Sequence, residues 1–251
     1  MSRWLKALPL TLALAALSIF TASCSSNDQA QIRFVHAIQD GGSMDIDITG
    51  PNIVVPTQVF TDISFLGVDP IQPGYTSVPS GVDKIEGFLT GSTNVGFNST
   101  NIALNGSQQY TIVATGLVAS GQNAVILPIP DDIAAPAAGD AAFRVIHASP
   151  SGASPVDIYI QLNPSSGPSG SPAISGVGYE RASSYVELPT NPNNDITAPG
   201  FTVYVTPSGS TVPIFSEGVN PQAGAVRTLI LTDVQGGRTM QLFFLELSDL
   251  N

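Results

Sequence analysis

Short apolar runs separated by turn residues dominate the pattern of this chain after residue 30. Val, Ile, Thr, Tyr and Phe recur in brief stretches, and glycine or proline separates them. No long stretch shows the 3.6-residue period of an amphipathic helix, whereas QYTIVATGL (109–117) alternates weakly, with Tyr110, Ile112 and Ala114 on one face. This pattern predicts an all-β protein. In the first part of the chain it predicts strands near 31–37, 44–48, 58–66, 75–78, 84–90, 101–105, 109–117 and 123–129.

The pattern also repeats along the chain. Three pairs of segments align: IRFVHA (32–37) with FRVIHA (143–148), MDIDI (44–48) with VDIYI (156–160), and ISFLGV (63–68) with ISGVGY (174–179). A repeat of this length predicts two copies of one domain. We therefore expect two tandem antiparallel β-sandwich domains of immunoglobulin-like or transthyretin-like type, at 31–132 and 142–251, with a linker at 133–141.

The start of the chain has a different composition. Arg3 and Lys6 precede an uncharged apolar run from Ala7 to Phe20, and small residues follow it as far as Cys24. This order is typical of a secretory signal peptide, and the run is short for a transmembrane helix. Because Cys24 is the only cysteine, the chain cannot form an internal disulfide.

The segment TASC (21–24) resembles the lipobox of bacterial lipoproteins. The resemblance implies removal of residues 1–23, lipidation of Cys24 and a polar tether over residues 24–30. Several acyl chains on one residue would give stable anchoring, because each buried CH₂ contributes about 0.8 kcal/mol. Ser25, where aspartate would favour the inner membrane, implies sorting to the outer membrane. Cleavage nearby without lipidation would instead give a simple secreted protein.

The charge of the chain excludes some partners. It carries 19 acidic and 8 basic residues, a formal net charge of −11. Loss of residues 1–23 removes two bases and no acid, which leaves 19 acids, 6 bases and a charge of −13. Such a surface argues against nucleic acid, whose binding depends on basic contacts to phosphate. It also argues against electrostatic attachment to anionic lipid, so the membrane would be reached through the lipid on Cys24.

Each predicted domain opens with an arginine and a histidine three residues apart, and the chain has no other histidines. FRVIHASPSGASPVDIYI (143–160) resembles the start of the DUF4397 family, bacterial domains of unknown function. Members open with a strand of the form R-[VF]-[VI]-H-A-S-P, then a proline-bearing turn and a V-D-[IV]-Y strand. The first copy lacks the Ser-Pro and the Tyr. The resemblance implies a β-sandwich, single or tandem, in secreted or anchored proteins, and it brings no activity.

We interpret the repeated motif as scaffold. Each histidine is expected to hydrogen-bond turn backbone or the aspartate that begins the next strand, Asp45 or Asp157. Each arginine is expected to pair with a carboxylate at a sheet edge. The structural motif is therefore predicted to comprise Arg33, His36, Asp45, Arg144, His147 and Asp157.

Metal binding and catalysis find little support in the residues. Zinc needs three or four converging nitrogen or sulfur donors, and each copy has one histidine. Calcium prefers six to eight oxygen ligands, and the acidic pairs at 45/47 and 131/132 are equally explained as a solvated face. Ser149 follows His147 by two residues, but Ile38 takes that position in the first copy, and no G-x-S-x-G motif occurs. No catalytic residue, metal or cofactor is therefore predicted.

The expected function is that of a non-enzymatic, lipid-anchored cell-envelope protein. Its domains would act as a binding or spacer module, with the first domain nearer the membrane. An alternative is an envelope protein or polysaccharide partner bound in a crevice between the domains or at the loop 163–172. Sugar binding would use Tyr75, Tyr179 or Tyr185, although core packing also explains them. A hydrolase with an unrecognised site is a further alternative.

Overall fold

The computed structural model describes residues 29–50, 53–93, 95–118, 124–132, 134–152, 154–162, 166–190, 200–234 and 242–250. The predicted signal peptide (1–23), Cys24 and the tether up to residue 28 lie outside these ranges. Within them, no helix is both long and apolar enough to cross a membrane.

All regular elements of the described ranges are β-strands, as the apolar pattern predicted. The first half, which we define as residues 29–132, contains β1 (Gln29–His36), β2 (Met44–Gly50), β3 (Ile53–Ile63), β4 (Val68–Asp69), β5 (Thr76–Pro79), β6 (Gly81–Leu89), β7 (Val95–Leu104), β8 (Gln109–Thr115) and β9 (Val125–Pro130). The second half, residues 134–250, contains β10 (Asp140–His147), β11 (Val156–Leu162), β12 (Ile174–Val177), β13 (Arg181–Ala182), β14 (Val186–Pro189), β15 (Phe201–Pro207), β16 (Phe215–Val219), β17 (Val226–Asp233) and β18 (Leu242–Leu250).

The strands form four sheets, two in each half. In each half we call the sheet that faces the other half the inner sheet and the second sheet the outer sheet. The inner sheet of the first half has the order β4-β1-β8-β9, with β5 also paired to β1, and its outer sheet has the order β3-β2-β6-β7. The second half has the same plan, with β13-β10-β17-β18 plus β14 as its inner sheet and β12-β11-β15-β16 as its outer sheet. A separate apolar core lies between the two sheets of each half. This is the two-layer sandwich that the sequence predicted.

One strand pair in each half departs from the expected antiparallel arrangement. β1 runs parallel to β8, with Ile32 opposite Tyr110, and β10 runs parallel to β17, with Phe143 opposite Arg227. The other described pairs are antiparallel. Parallel neighbours need a long connection. Here the entire outer sheet lies between them in the chain, so the second strand can re-enter from the same end.

The inner sheets are buried on both faces. Side chains alternate along β1, so that Ile32 and Phe34 enter the first core while Arg33 and Val35 face the second half. A third apolar cluster joins the halves and comprises Val35, Ala37, Val113, Ile146, Ala148, Ile230 and Leu247. The two sandwiches therefore pack face to face through their inner sheets.

The structure also corrects the alignment of the two copies near β3 and β12. Asp62 and Gly176 occupy equivalent positions, because the backbone N–H of each donates to the aspartate of the neighbouring strand, at 2.8 and 2.7 Å. These residues are 114 positions apart, so the alignment of 63–68 with 174–179 at a spacing of 111 is wrong by three residues. The two segments share the pattern ISxxG, and this similarity suggested the wrong alignment. The strand register is defined by hydrogen bonds and not by residue identity.

Candidate functional site

Two arginine–aspartate ion pairs lie between the halves. Arg33 on β1 donates through Nη2 to Oδ1 of Asp249 in the second half. Arg144 on β10 donates through Nη2 to Oδ1 of Asp131 in the first half. All four side chains are at most 2% exposed. The contact is reciprocal, like the interface of a twofold-symmetric dimer, although both halves belong to one chain.

Polar neighbours in the first half complete the environment of Asp131. The Thr111 hydroxyl lies 2.7 Å from Oδ2 of Asp131, and the Tyr75 hydroxyl donates to the same oxygen at 2.7 Å. Nε of Arg33 donates to Thr111 Oγ1 at 2.8 Å, and its guanidinium lies 5.1 Å from the centre of the Tyr75 ring. The carboxylate thus has donors on both oxygens, as a buried charge requires.

Asp249 has the corresponding neighbours in the second half. Thr228 and Tyr185 donate to its Oδ2 at 2.5 and 2.9 Å. Nε of Arg144 donates to Thr228 Oγ1 at 2.8 Å, and its guanidinium lies 4.8 Å from the centre of the Tyr185 ring. The correspondence ends at one atom. Arg144 Nη1 donates to the carbonyl oxygen of Pro130 at 2.9 Å, whereas Arg33 Nη1 has no hydrogen-bond partner among the described residues.

The cluster shifts the pKa values of Arg33, Tyr75 and Tyr185. Burial acts to lower the pKa of Arg33, but the charges of Asp249 and Asp131 outweigh burial, and the pKa is raised. Burial, together with the negative charge of Asp131, raises the pKa of Tyr75. Burial also raises the pKa of Tyr185. Arg33 therefore stays charged, and both tyrosine hydroxyls stay protonated as donors.

Threonine hydroxyls make a second reciprocal contact across the interface. Thr115 donates to the carbonyl oxygen of Ala148 at 2.6 Å, and Thr232 donates to that of Ala37 at 3.5 Å. Together with the apolar cluster and the ion pairs, these contacts join the two inner sheets. A crevice between the domains was one of two places given for a ligand in the alternative function, and side chains of the two halves meet there instead.

The histidines bond to turn backbone, which was one of the two expected roles. Nδ1 of His36 accepts from the Ile38 N–H at 3.2 Å, and Nε2 donates to the Gly42 carbonyl oxygen at 2.9 Å. The ring is buried and packs edge-on against Phe65, with centroids 6.2 Å apart. Burial lowers the pKa of His36, although the bond to Gly42 opposes this. The buried ring is therefore favoured in its neutral form.

His147 has a matching environment in the second half. Its Nδ1 accepts from the Ser149 N–H at 3.4 Å, and its ring packs edge-on against Tyr179 at 5.8 Å. The Ser149 hydroxyl donates to Asp233 and is fully buried. Serine and histidine are therefore joined through a backbone N–H and not through the hydroxyl, which is unlike the hydrogen bond of a nucleophile to its base.

His36 takes the backbone alternative and does not pair with Asp45, because backbone groups occupy both ring nitrogens. Asp45 instead accepts from the Asp62 N–H at 2.8 Å and the Thr90 hydroxyl at 3.2 Å. Asp157 in the second half accepts three bonds, from Gly176 N, Gly209 N and Ser208 Oγ, at 2.7, 2.8 and 3.1 Å. Burial acts to raise the pKa of Asp157, but these bonds outweigh it and lower the pKa. Each aspartate thus bonds both to the neighbouring edge strand and to a turn of the outer sheet.

The arginines do pair with carboxylates, which lie on the edge strand β18 (Asp249) or directly after the edge strand β9 (Asp131), in the buried interface between the halves. Sequence reasoning missed Asp249, Thr111 and Thr228 as parts of this cluster. A signal was available, since YTIVAT (110–115) and RTLILT (227–232) place a threonine at corresponding positions. The described residues contain no group of three or more His, Cys, Asp or Glu that could hold a metal ion.

An open polar groove of about 840 Å³ lies at one end of the first half, where β1 and β8 begin and β9 ends. Its lining includes Gln29, Gln31, Ser107, Gln108, Gln109 and Asp132. Gln109 Nε2 donates to Gln31 Oε1 at 2.9 Å, and both side chains lie at the surface. The groove offers amide, hydroxyl and carboxylate groups for hydrogen bonding.

A family model described as "Domain of unknown function (DUF4397)" matches residues 30–159, which include all six residues of the predicted motif. No curated protein matches the sequence. Two solved structures align over most of this chain. The Bacillus anthracis TIE protein is 10% identical over 81% of this chain and 34% of its own, with a TM-score of 0.24. A streptococcal virulence factor whose structure is titled for alpha-glucan binding is 12% identical over 85% of this chain and 96% of its own, with a TM-score of 0.27.

A third aligned structure is the CBM26 module of Eubacterium rectale Amy13K in complex with maltoheptaose. It is 10% identical over 86% of this chain and 96% of its own, with a TM-score of 0.26. This chain thus spans about a third of the length of the Bacillus protein, at 34%. Because these TM-scores all lie below 0.5, the likenesses carry no argument about function.

Proposed function

The chain belongs to the DUF4397 family, and on this premise we propose that it is a non-enzymatic, lipid-anchored binding protein of the cell envelope. The lipid would be carried on Cys24, which follows the apolar run in the manner of a lipobox. Ser25 supports the outer membrane as the destination. The two predicted domains, 31–132 and 142–251, would serve as tandem family domains.

One observation carries the non-enzymatic part of this proposal. The motif residues that most resembled reactive groups are used in holding the fold together. His36 is bonded to backbone through both nitrogens, and Arg33 and Arg144 are held in buried ion pairs. These buried side chains stabilise the sandwich, and we expect a ligand to bind at surface grooves or loops.

The way the halves pack favours a binding module over a spacer. Sandwiches joined end to end would give the greatest reach from a membrane. Here the inner sheets meet face to face, and both halves contribute to one apolar cluster. A second half placed beside the first adds surface and rigidity more than length.

The anchoring part is tested by Cys24→Ser. The unsubstituted protein should enter the detergent phase on phase separation and incorporate labelled fatty acid, because acyl chains on Cys24 partition into detergent. Cys24→Ser should move to the aqueous phase and lose the label, while Ser26→Ala serves as a matched control and should behave like the unsubstituted protein. A Cys24→Ser protein that stays tightly membrane-bound would exclude the lipid anchor.

A polysaccharide partner is a second candidate, and the polar groove favours it. Amide and hydroxyl groups at the groove match the hydrogen-bonding needs of sugar hydroxyls. Purified peptidoglycan or lipopolysaccharide should retain the protein, and Gln109→Ala should weaken retention more than Gln58→Ala, a change at an exposed residue of β3. Equal retention of both variants would argue against the groove.

A further inference from the structure

One basic side chain differs from the others that the structure describes. Four of the five described cations are held in ion pairs with carboxylates: Arg33, Lys84, Arg144 and Arg227. The fifth, Arg181 on β13, is exposed, and its guanidinium forms no ion pair or hydrogen bond within the described ranges. In a chain with a net charge of −11, an unpaired surface cation is an unusual feature.

Arg181 lies beside a groove of about 410 Å³ in the second half. Ile174, Val177 and Val186 supply apolar lining, and Ser175, Ser183 and Ser184 supply hydroxyl groups. A Cβ atom placed on Gly178 would lie 3.6 Å from Cγ of Arg181, so the arginine stem runs along the groove wall. The groove therefore combines the positive charge of Arg181 with apolar and hydroxyl surface.

Two sheet edges border this groove. β12 is the edge strand of the outer sheet and pairs with β11, whereas β13 and β14 pair with β10 at the edge of the inner sheet. An edge strand presents unpaired backbone N–H and C=O groups on its free side. Proteins recognise extended peptides by adding them to such edges, with alternate side chains placed in pockets.

The corresponding region of the first half is chemically different. Leu66 N and Glu180 N each donate to the carbonyl oxygen of the histidine in their half, both at 2.8 Å, so these positions are equivalent. By this register Arg181 corresponds to Gly67. Gly176 likewise corresponds to Asp62, which places a carboxylate where the second half has no side chain. The cation and the open space are thus features of the second half.

We propose that this groove binds an extended peptide segment of a partner protein that carries a carboxylate. The carboxylate pairs with Arg181, a neighbouring apolar side chain packs on the partly exposed Val186 and on Ala182, and the peptide backbone bonds to a sheet edge. Charge complementarity selects an acidic ligand. The edge strands favour a peptide over an acidic saccharide, and the lining contains no aromatic ring on which a sugar could stack.

This proposal rests on the proposed binding role but not on anchoring, and the experiment separates the two. The full-length chain with Cys24→Ser is titrated into a fluorescently labelled, end-capped peptide Val-Thr-Val-Glu-Val and its Gln counterpart. In both peptides apolar side chains alternate with polar ones, as an added strand requires. Fluorescence anisotropy should show binding of the Glu peptide about tenfold tighter than that of the Gln peptide.

Two substitutions test the site itself. Arg181→Gln should reduce the affinity for the Glu peptide to that for the Gln peptide, while Arg227→Gln removes a paired arginine and should change neither. Gly178→Leu keeps the charge but fills the groove, and it should abolish binding of both peptides. Equal affinities for the two peptides, or an Arg181→Gln protein that binds like the parent, would overturn the proposal. So would retention of an oligouronate, lost in Arg181→Gln, without any peptide binding.

Discussion

Asp249→Asn is expected to lower the free energy of unfolding by about 3–5 kcal/mol, the usual cost of removing one partner of a buried ion pair. Arg33 is fully buried, and its Nη1 already has no partner among the described residues. Without the carboxylate of Asp249, the guanidinium keeps the Thr111 hydroxyl at 2.8 Å and a longer contact of 3.6 Å to Asp131. Neither replaces a direct charge–charge hydrogen bond.

Urea unfolding followed by circular dichroism, in the Cys24→Ser background, measures this loss. A single transition is expected for the parent protein, because one apolar cluster includes side chains of both halves. Glu246→Gln is the matched control on the same strand. Its partner Arg227 lies at 2.9 Å, but the Glu246 side chain is 39% exposed, so the loss should stay below about 1 kcal/mol.

A double variant distinguishes the cost of leaving Arg33 unpaired from a general disruption of packing. Arg33→Met combined with Asp249→Asn removes both charges and leaves Arg144 with Asp131. Replacing a buried pair by uncharged groups is often close to neutral, so most of the lost stability should return. The reasoning would be refuted if Asp249→Asn lost less than about 1 kcal/mol, or if the double variant lost the sum of the two single effects.

Two pH-dependent predictions follow from the other motif residues. The pKa of His36 lies below its usual 6.5, so the contribution of His36 to the free energy of unfolding should be fully present above about pH 6.5 and should decrease as the pH falls below that value. In urea unfolding at pH 7.5 and 5.5, His36→Gln should reduce the difference in free energy of unfolding between the two pH values. An unchanged difference would contradict this prediction. The pKa of Asp157 lies below its usual 3.8, so its contribution should be present above about pH 4 and lost as the pH falls through the lowered pKa. Asp157→Asn should cost about 1–2 kcal/mol at pH 7, because one amide oxygen replaces two carboxylate oxygens, and should weaken the acid dependence below pH 4; a parent and a variant with the same acid profile would contradict this.

Much of the fold was predictable from local pattern. The alternation of Tyr110, Ile112 and Ala114 placed them on one face, and all three lie in the first core. The bond of His36 to turn backbone also followed from its place at the end of an apolar strand. Local rules sufficed here because strand periodicity and turn chemistry act over a few residues.

The partner of Arg33 could not be found in this way. Asp249 is 216 positions distant, and the pair exists only because the two inner sheets meet. Alternation placed Arg33 and Val35 on a common face but could not say whether water or a second sandwich covers that face. His36 uses Ile38 and Gly42 of the turn after β1 and not Asp45, and the sequence did not decide between these two alternatives.

The sequence by itself determined the all-β class, the repeat of short segments and the alternation of faces along a strand, because these depend on side-chain periodicity and on turn residues. Tertiary structure alone decided the parallel pairs, the register of β12 and the burial of four charges between the halves. Those features depend on which surfaces meet. Burying an arginine costs much free energy unless a carboxylate pairs with it, and here that carboxylate comes from the other half. The same packing left Arg181 unpaired beside an open groove, which the sequence did not distinguish from any other exposed arginine.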